Sequence, residues 1–269
     1  MNPLKTLVLA NQKGGVGKSA VGTQLAFYAA HIGMRVLYLD LDHQRNSTNP
    51  LIRSKLPAVA SFTASDLLRN GAGTLPDGAF VLVAGDDALS GLKREPTQHN
   101  DYANHLNRFL RDCHERYELC LIDTNPNPDI RYGVALVVAD YVLSPIQLNQ
   151  EALEGIGGLL THARYGVRRI KQTMNAKLEL IGILPNAVEA TPFQRDNFKQ
   201  LAERYAQLLI PMGEGKFAMI AKRTAIAESQ ASGVPLYDGK KTSARDAWVE
   251  IKPVFDVILK SMNLAPERK

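Results

Sequence analysis

The chain has 269 residues, a net charge of +5, 45% hydrophobic residues and only two cysteines. This is enough sequence for one substantial core and sits at the upper end for a single domain. No apolar run approaches the ~18 residues that cross a bilayer, and the N-terminal apolar segment is too short for a signal peptide, so a cytoplasmic protein is expected. The positive balance suits a polyanionic partner without demanding one.

Short apolar runs at 4–10, 35–40, 80–84, 119–123, 141–145, 178–184 and 207–210 alternate with helical patterns. The helices fall near 19–33, 100–116, 129–139, 150–174, 192–206, 222–232 and 243–262. This alternation predicts an α/β fold: a mostly parallel, doubly wound sheet with helices on both faces, as one domain over 1–269. Ligands of such sheets sit at the carboxyl ends of strands. Three charged motifs fall there.

The first motif is Gln12-Lys13-Gly14-Gly15-Val16-Gly17-Lys18-Ser19, between a strand and a helix start. Strand, glycine turn and helix make the context of a phosphate-binding P-loop: backbone N–H groups of Gly14, Gly15, Val16 and Gly17 turn inward, and the helix adds its positive end. Lys18 would reach the β/γ-phosphates, and the Ser19 hydroxyl would take a place on Mg²⁺. Where the general pattern opens on glycine, this chain has Gln12, and it carries a second lysine, Lys13, within the loop. Two ammonium groups this close repel unless a polyphosphate lies between them. Lys13 is therefore most useful against a nucleotide bound by another subunit.

The second motif, Asp40-Leu41-Asp42-His43-Gln44, ends an apolar strand in two carboxylates on one side of an extended chain. Such a pair calls for a cation or a bridging water, and it also fits strand-end aspartates capping the next turn. The third, Leu119-Cys120-Leu121-Ile122-Asp123-Thr124, is an apolar strand ending in one carboxylate, as a Walker B aspartate beside Mg²⁺ requires. Cys113 and Cys120 lie in a helical and a strand pattern and read as reduced packing residues, which disfavours an iron–sulfur protein.

Lys13-Gly14-Gly15-Val16-Gly17-Lys18-Ser19, with Asp40, Asp42 and Asp123 in order behind it, resembles the deviant Walker A motif of the ParA/MinD family of ATPases, whose signature is the first lysine. The likeness covers nearly the whole chain and points to the short plasmid-partition ParA proteins of the IncC type. It implies a P-loop NTPase fold, ATP and Mg²⁺, and an ATP-dependent homodimer that binds DNA non-specifically on the nucleoid. It also implies a ParB-type partner that stimulates hydrolysis.

Carried onto this chain, the family's Asp-x-Asp-Pro-Gln segment puts Asp40 in the support of the Mg²⁺ shell and Asp42 beside the attacking water. Lys13 and Lys18 would neutralise developing charge. The usual proline is His43 here, and Asn125 interrupts the second switch, usually Thr-Pro-Pro or Thr-Ala-Pro. Ala20 replaces the usual hydroxyl residue at the α-phosphate, so somewhat weaker nucleotide binding is expected. Asn186 occupies the place where relatives contact adenine, and a turn-stabilising asparagine fits that position equally well.

Late basic residues, Lys222, Arg223, Lys240, Lys241 and Arg245, are where the family resemblance puts DNA contacts. Read from the residues alone, each basic cluster, including Arg164, Arg168, Arg169 and Lys171, is a solvated face. With the P-loop this early, no N-terminal helix-turn-helix domain is expected. Two rivals stay open. A membrane-cycling MinD-like ATPase would need a lipid-binding C-terminus, and residues 265–269 lack a basic-aromatic tip. An accessory factor in conjugative DNA transfer would keep the fold and use ATP little.

Overall fold

Burial, rather than local propensity, decides the strands. The computed structural model describes residues 3–71 and 73–264. Strands β1 (Lys5–Leu9), β2 (Val36–Asp40), β3 (Ala58–Val59), β4 (Phe80–Val83), β5 (Leu119–Asp123), β6 (Tyr141–Ile146) and β7 (Glu179–Pro185) form one sheet in the order β3-β4-β2-β5-β1-β6-β7. Every pairing in it is parallel. Central strands are apolar along their length because both faces are covered.

Alternate residues serve the two faces. Leu7, Leu9, Tyr38, Leu119 and Leu121 pack under α1 (Lys18–His31) and two C-terminal helices. Val8, Leu37, Leu39, Cys120 and Ile122 pack against helices of the opposite face. That face is covered in chain order by α3 (Ala64–Asn70), α4 (His99–Asp112) and α5 (Ile130–Val138), which follow the short α2 (Thr48–Ser54). The chain continues through α6 (Gln150–Thr161), α7 (Val167–Thr173), α8 (Pro192–Tyr205), α9 (Thr224–Ser232) and α10 (Thr242–Ser261). The doubly wound α/β architecture expected from the alternation is the one observed.

Several local readings change. The helical pattern over 150–174 is two helices: the chain turns through His162, whose ring nitrogen accepts from the backbone N–H groups of Arg164 and Tyr165. Arg164 therefore leaves the helix that carries Arg168, Arg169 and Lys171. The run at 207–210 forms no strand of the sheet; Leu209 makes a single bridge to Ile183. Gly213-Glu214-Gly215 closes a small antiparallel hairpin, β8 (Pro211–Gly213) with β9 (Lys216–Phe217), and all three residues have positive φ. Residues 265–269, which bear on the MinD-like rival, lie outside the described residues. No helix among the described residues is long and apolar enough to cross a membrane.

Candidate nucleotide site

The loop after β1 is held open by its own backbone and three neighbouring elements. Asn11 is buried: its Oδ1 accepts from the Lys13 N–H, while its Nδ2 donates to Ser144 Oγ and the Pro145 carbonyl, at 2.8, 3.2 and 3.0 Å. Gln147 Nε2 donates to the Gly15 carbonyl at 2.9 Å, and Gln12 Nε2 to the Gly158 carbonyl at 3.0 Å. Gly17, φ 92°, leads into α1. A Cβ there would lie 2.0 Å from Asn186 Nδ2, so glycine is required on both counts. Asn186 Nδ2 is committed to the loop, donating to the Val16 carbonyl at 2.8 Å.

The two lysines diverge. Lys18 is buried, and its Nζ donates to the Lys13 carbonyl at 3.3 Å. Burial depresses its pKa, while Asp123 and Asp42 push it back up. Lys13 is half-buried and points its Nζ to Asn149 Oδ1, 3.3 Å away.

Adjacent parallel strands set Asp40 opposite Asp123 in register. Both carboxylates are fully buried. Asp40 accepts from Thr48 N–H and Oγ1 at 2.9 and 2.7 Å and from the Asp42 N–H at 3.0 Å. Asp123 Oδ2 accepts from Ser47 Oγ at 2.5 Å. Its Oδ1 is buried and accepts no hydrogen bond, although the Ser19 hydroxyl lies near enough to favour the ionised carboxylate. Desolvation, and then the facing charge of Asp123, push Asp40 up to about 7; burial likewise raises Asp123, against the pull of the Ser19 and Ser47 hydroxyls. The pair titrates as one unit.

An unsatisfied carboxylate oxygen beside a second buried carboxylate is the arrangement a cation relieves. With Asp40 already accepting three hydrogen bonds, Asp123 and Ser19 are the residues that could hold Mg²⁺. Among the described residues no three His, Cys, Asp or Glu side chains could hold a metal alone. An ion here must complete its shell with water and phosphate oxygens, which is the habit of Mg²⁺.

Asp42 lines a cavity of about 590 Å³ together with Gly14, Lys18, Ser19, Ala20 and Pro126. Its Oδ1 accepts from the Gln44 N–H at 3.1 Å and faces His43 Nδ1 at 3.2 Å. Lys18, Ser19, Asp42 and Asp123 thus converge from three strand ends. Ser47, Thr48, Asn149 and Arg131 were not read as site residues from sequence. Only the first two carried a signal, hydroxyls at a helix start just beyond Asp42.

The basic positions do not share one environment. Lys222 pairs with Glu189, Arg223 with Glu250 and Lys241 with Glu228, all at exposed sites. Lys240 and Arg245 form no ion pair among the described residues. Cys113 and Cys120 are buried free thiols. Burial raises both, Cys113 to about 12, which disfavours the thiolate.

A family model described as an AAA domain matches residues 4–180. Protein IncC of Escherichia coli is 32% identical over 97% of this chain and 71% of that protein. The chain belongs to the ParA family of partition ATPases. The chromosome-partitioning ATPase Soj of Thermus thermophilus is 33% identical over 89% of this chain and 90% of its own. An ATP complex of McdA from Cyanothece shares the fold, with a TM-score of 0.78 at 19% identity over the full length of both chains. The resemblance to the ParA family and the sheet expected with it are therefore borne out, and with them an NTPase.

Proposed function

We propose that this ParA-family protein hydrolyses ATP with Mg²⁺ and closes on ATP into a homodimer that binds DNA without sequence preference. Hydrolysis, stimulated by a ParB-type partner, reopens it. Relatives named as a chromosome-partitioning ATPase and a chromosome partitioning protein support this reading. The observation that carries it is the partnerless Asp123 Oδ1 in register with Asp40, one strand from the phosphate loop.

In this mechanism the N–H groups of 14–17 and the N-terminus of α1 bind the phosphates, and buried Lys18 neutralises charge at the β/γ position. Ser19 and Asp123 would hold Mg²⁺, which would supply charge neutralisation at the transferring phosphoryl group. Asp42, at the cavity wall, accepts a hydrogen bond from the attacking water and aims it at the γ-phosphorus. Lys13 releases Asn149 and meets the nucleotide of the partner subunit. Asn186 steadies the loop through Val16, at the place where the family resemblance puts the adenine contact. The late basic residues meet DNA phosphates.

The test is Asp42→Ala. It keeps the phosphate cradle, so ATP affinity and ATP-induced dimerisation should persist while single-turnover hydrolysis falls by about two decades or more. Hydrolysis at the wild-type rate in this variant would move the role elsewhere.

A further inference from the structure

His43 and Asn125, two of the positions where this chain departs from its family's usual motifs, are the two ends of one hydrogen-bonded chain. Asn125 Nδ2 donates to Asp129 Oδ2 at 3.2 Å and to the Asn127 carbonyl at 3.1 Å. Asp129 caps α5 through the Arg131 N–H and grips the Arg131 guanidinium at both oxygens: Nε to Oδ1 at 3.1 Å and Nη2 to Oδ2 at 2.6 Å. Arg131 is almost completely buried, an unusual place for a guanidinium unless it is fully paired. Its remaining nitrogen, Nη1, lies 3.0 Å from His43 Nδ1. That same Nδ1 lies 3.2 Å from Asp42 Oδ1.

Arginine can only donate and an ionised carboxylate can only accept, so a single ring nitrogen cannot serve both. In the tautomer with the proton on Nε2, Nδ1 accepts from Arg131. In the tautomer with the proton on Nδ1, the ring donates to Asp42 and Arg131 loses that acceptor. On the far side of the ring, the Gln44 amide lies 2.9 Å from Nε2. Because its oxygen and nitrogen can exchange by rotation, this amide can serve either tautomer.

We propose that His43 is a positioning residue that couples the loops after β2 and β5, because its Nδ1 is shared between Asp42 of the first loop and Arg131, the anchor of the loop at 125–129. Bonded to Arg131, the ring braces the first loop against α5. Bonded to Asp42, it holds the carboxylate that orients the water. A proline at position 43 would stiffen one loop but carry no message between the two. Here the stiffness comes from a contact that both loops must keep or break together.

The inference rests on the role given to Asp42, and five variants, Asp42→Ala among them, separate the two. His43→Ala should slow single-turnover ATP hydrolysis about tenfold and leave ATP affinity within about twofold, since the ring touches the water-orienting group and not the phosphate cradle. His43→Gln, whose amide oxygen can accept from Arg131 and whose nitrogen can donate to Asp42, should recover most of the rate. Arg131→Lys keeps the charge but loses the planar fork, so it should slow hydrolysis to a similar degree. The double variant His43→Ala with Arg131→Lys should be no slower than the slower single one, because both cut the same link.

Wild-type hydrolysis in His43→Ala, or a double variant whose loss is the product of the two singles, would overturn the proposal. His43 is on a partly exposed loop, with its side chain 30% accessible, so its two variants decide the matter even if a thermal melt shows Arg131→Lys to be destabilised. If Asp42→Ala is inactive while His43→Ala is normal, the coupling fails and the role of Asp42 stands. If Asp42→Ala is itself normal, the reading of the site fails.

Discussion

The cleft at the strand ends and the basic outer surface carry charge in opposite ways. In the cleft, Lys18, Asp40, Asp42 and Asp123 are all nearly or fully buried, and their partners are fixed by strand register. On the surface, Lys222, Arg223 and Lys241 are exposed and each is matched to a glutamate from a distant part of the sequence. A buried charge without a ligand is costly, so its presence points to a ligand. An exposed ion pair contributes little either way and points to nothing by itself. Substitutions should therefore have large, qualitative effects in the cleft and graded ones on the surface.

Lys18→Ala is expected to give the largest effect. It removes the ammonium buried beneath the glycine loop, and ATP affinity should fall at least about a hundredfold, or about 2.7 kcal/mol. Wild-type affinity in a fluorescent-nucleotide titration would break the contrast at its strongest point.

A smaller effect follows from the raised carboxyl of Asp40. With its pKa moved from 3.8 to about 7, the native chain holds a proton that the unfolded chain has lost between those values. Native stability should therefore decline as pH rises through that window and level off above it. A cation at Asp123 favours the ionised pair, so binding Mg²⁺ with nucleotide should release up to about one proton below pH 7 and almost none above pH 8. Calorimetry in two buffers of different ionisation heat reads this directly. Absence of proton release at pH 6 would show that the pair is not beside the cation.

The smallest effects belong to the surface. DNA binding should weaken steeply with salt, and replacing Lys240 and Arg245 by Glu should weaken it several-fold without touching ATP affinity. Reversing Lys222 and Arg223 should do less, because Glu189 and Glu250 already neutralise them. If the second pair matters more than the first in a filter-binding assay, ion pairing in the free protein is a poor guide to which charges meet phosphate. If neither pair matters, the exposed basic face of Arg168, Arg169 and Lys171 on α7 is the next surface to reverse.

The same contrast explains what could be read from the sequence. Six of the seven sheet strands were legible because full burial makes them continuous apolar runs, and the three strand-end motifs came with them. The edge strand Ala58–Val59 has two residues, one of them exposed, and leaves no such trace. Helix α2 is short and owes its place to Ser47 and Thr48 gripping Asp123 and Asp40, contacts that exist only once the sheet has formed. The salt-bridge partners of the basic residues lie 13 to 33 positions away in sequence, beyond any local pattern. The partner of His43 was out of reach for the same reason: Arg131 is 88 residues further on.

A mixture of Lys13→Ala and Lys18→Ala subunits tests most directly whether ATP is shared across a dimer. Each variant alone should be inactive, Lys18→Ala for want of nucleotide and Lys13→Ala for want of the crossing ammonium. In a heterodimer, the Lys13→Ala subunit keeps an intact phosphate cradle and its partner still donates Lys13 into it. Partial ATPase activity should therefore reappear on mixing. A mixture that stays inactive, although light scattering shows that heterodimers form, would mean that Lys13 serves its own subunit and that the ATP-closed dimer is wrong.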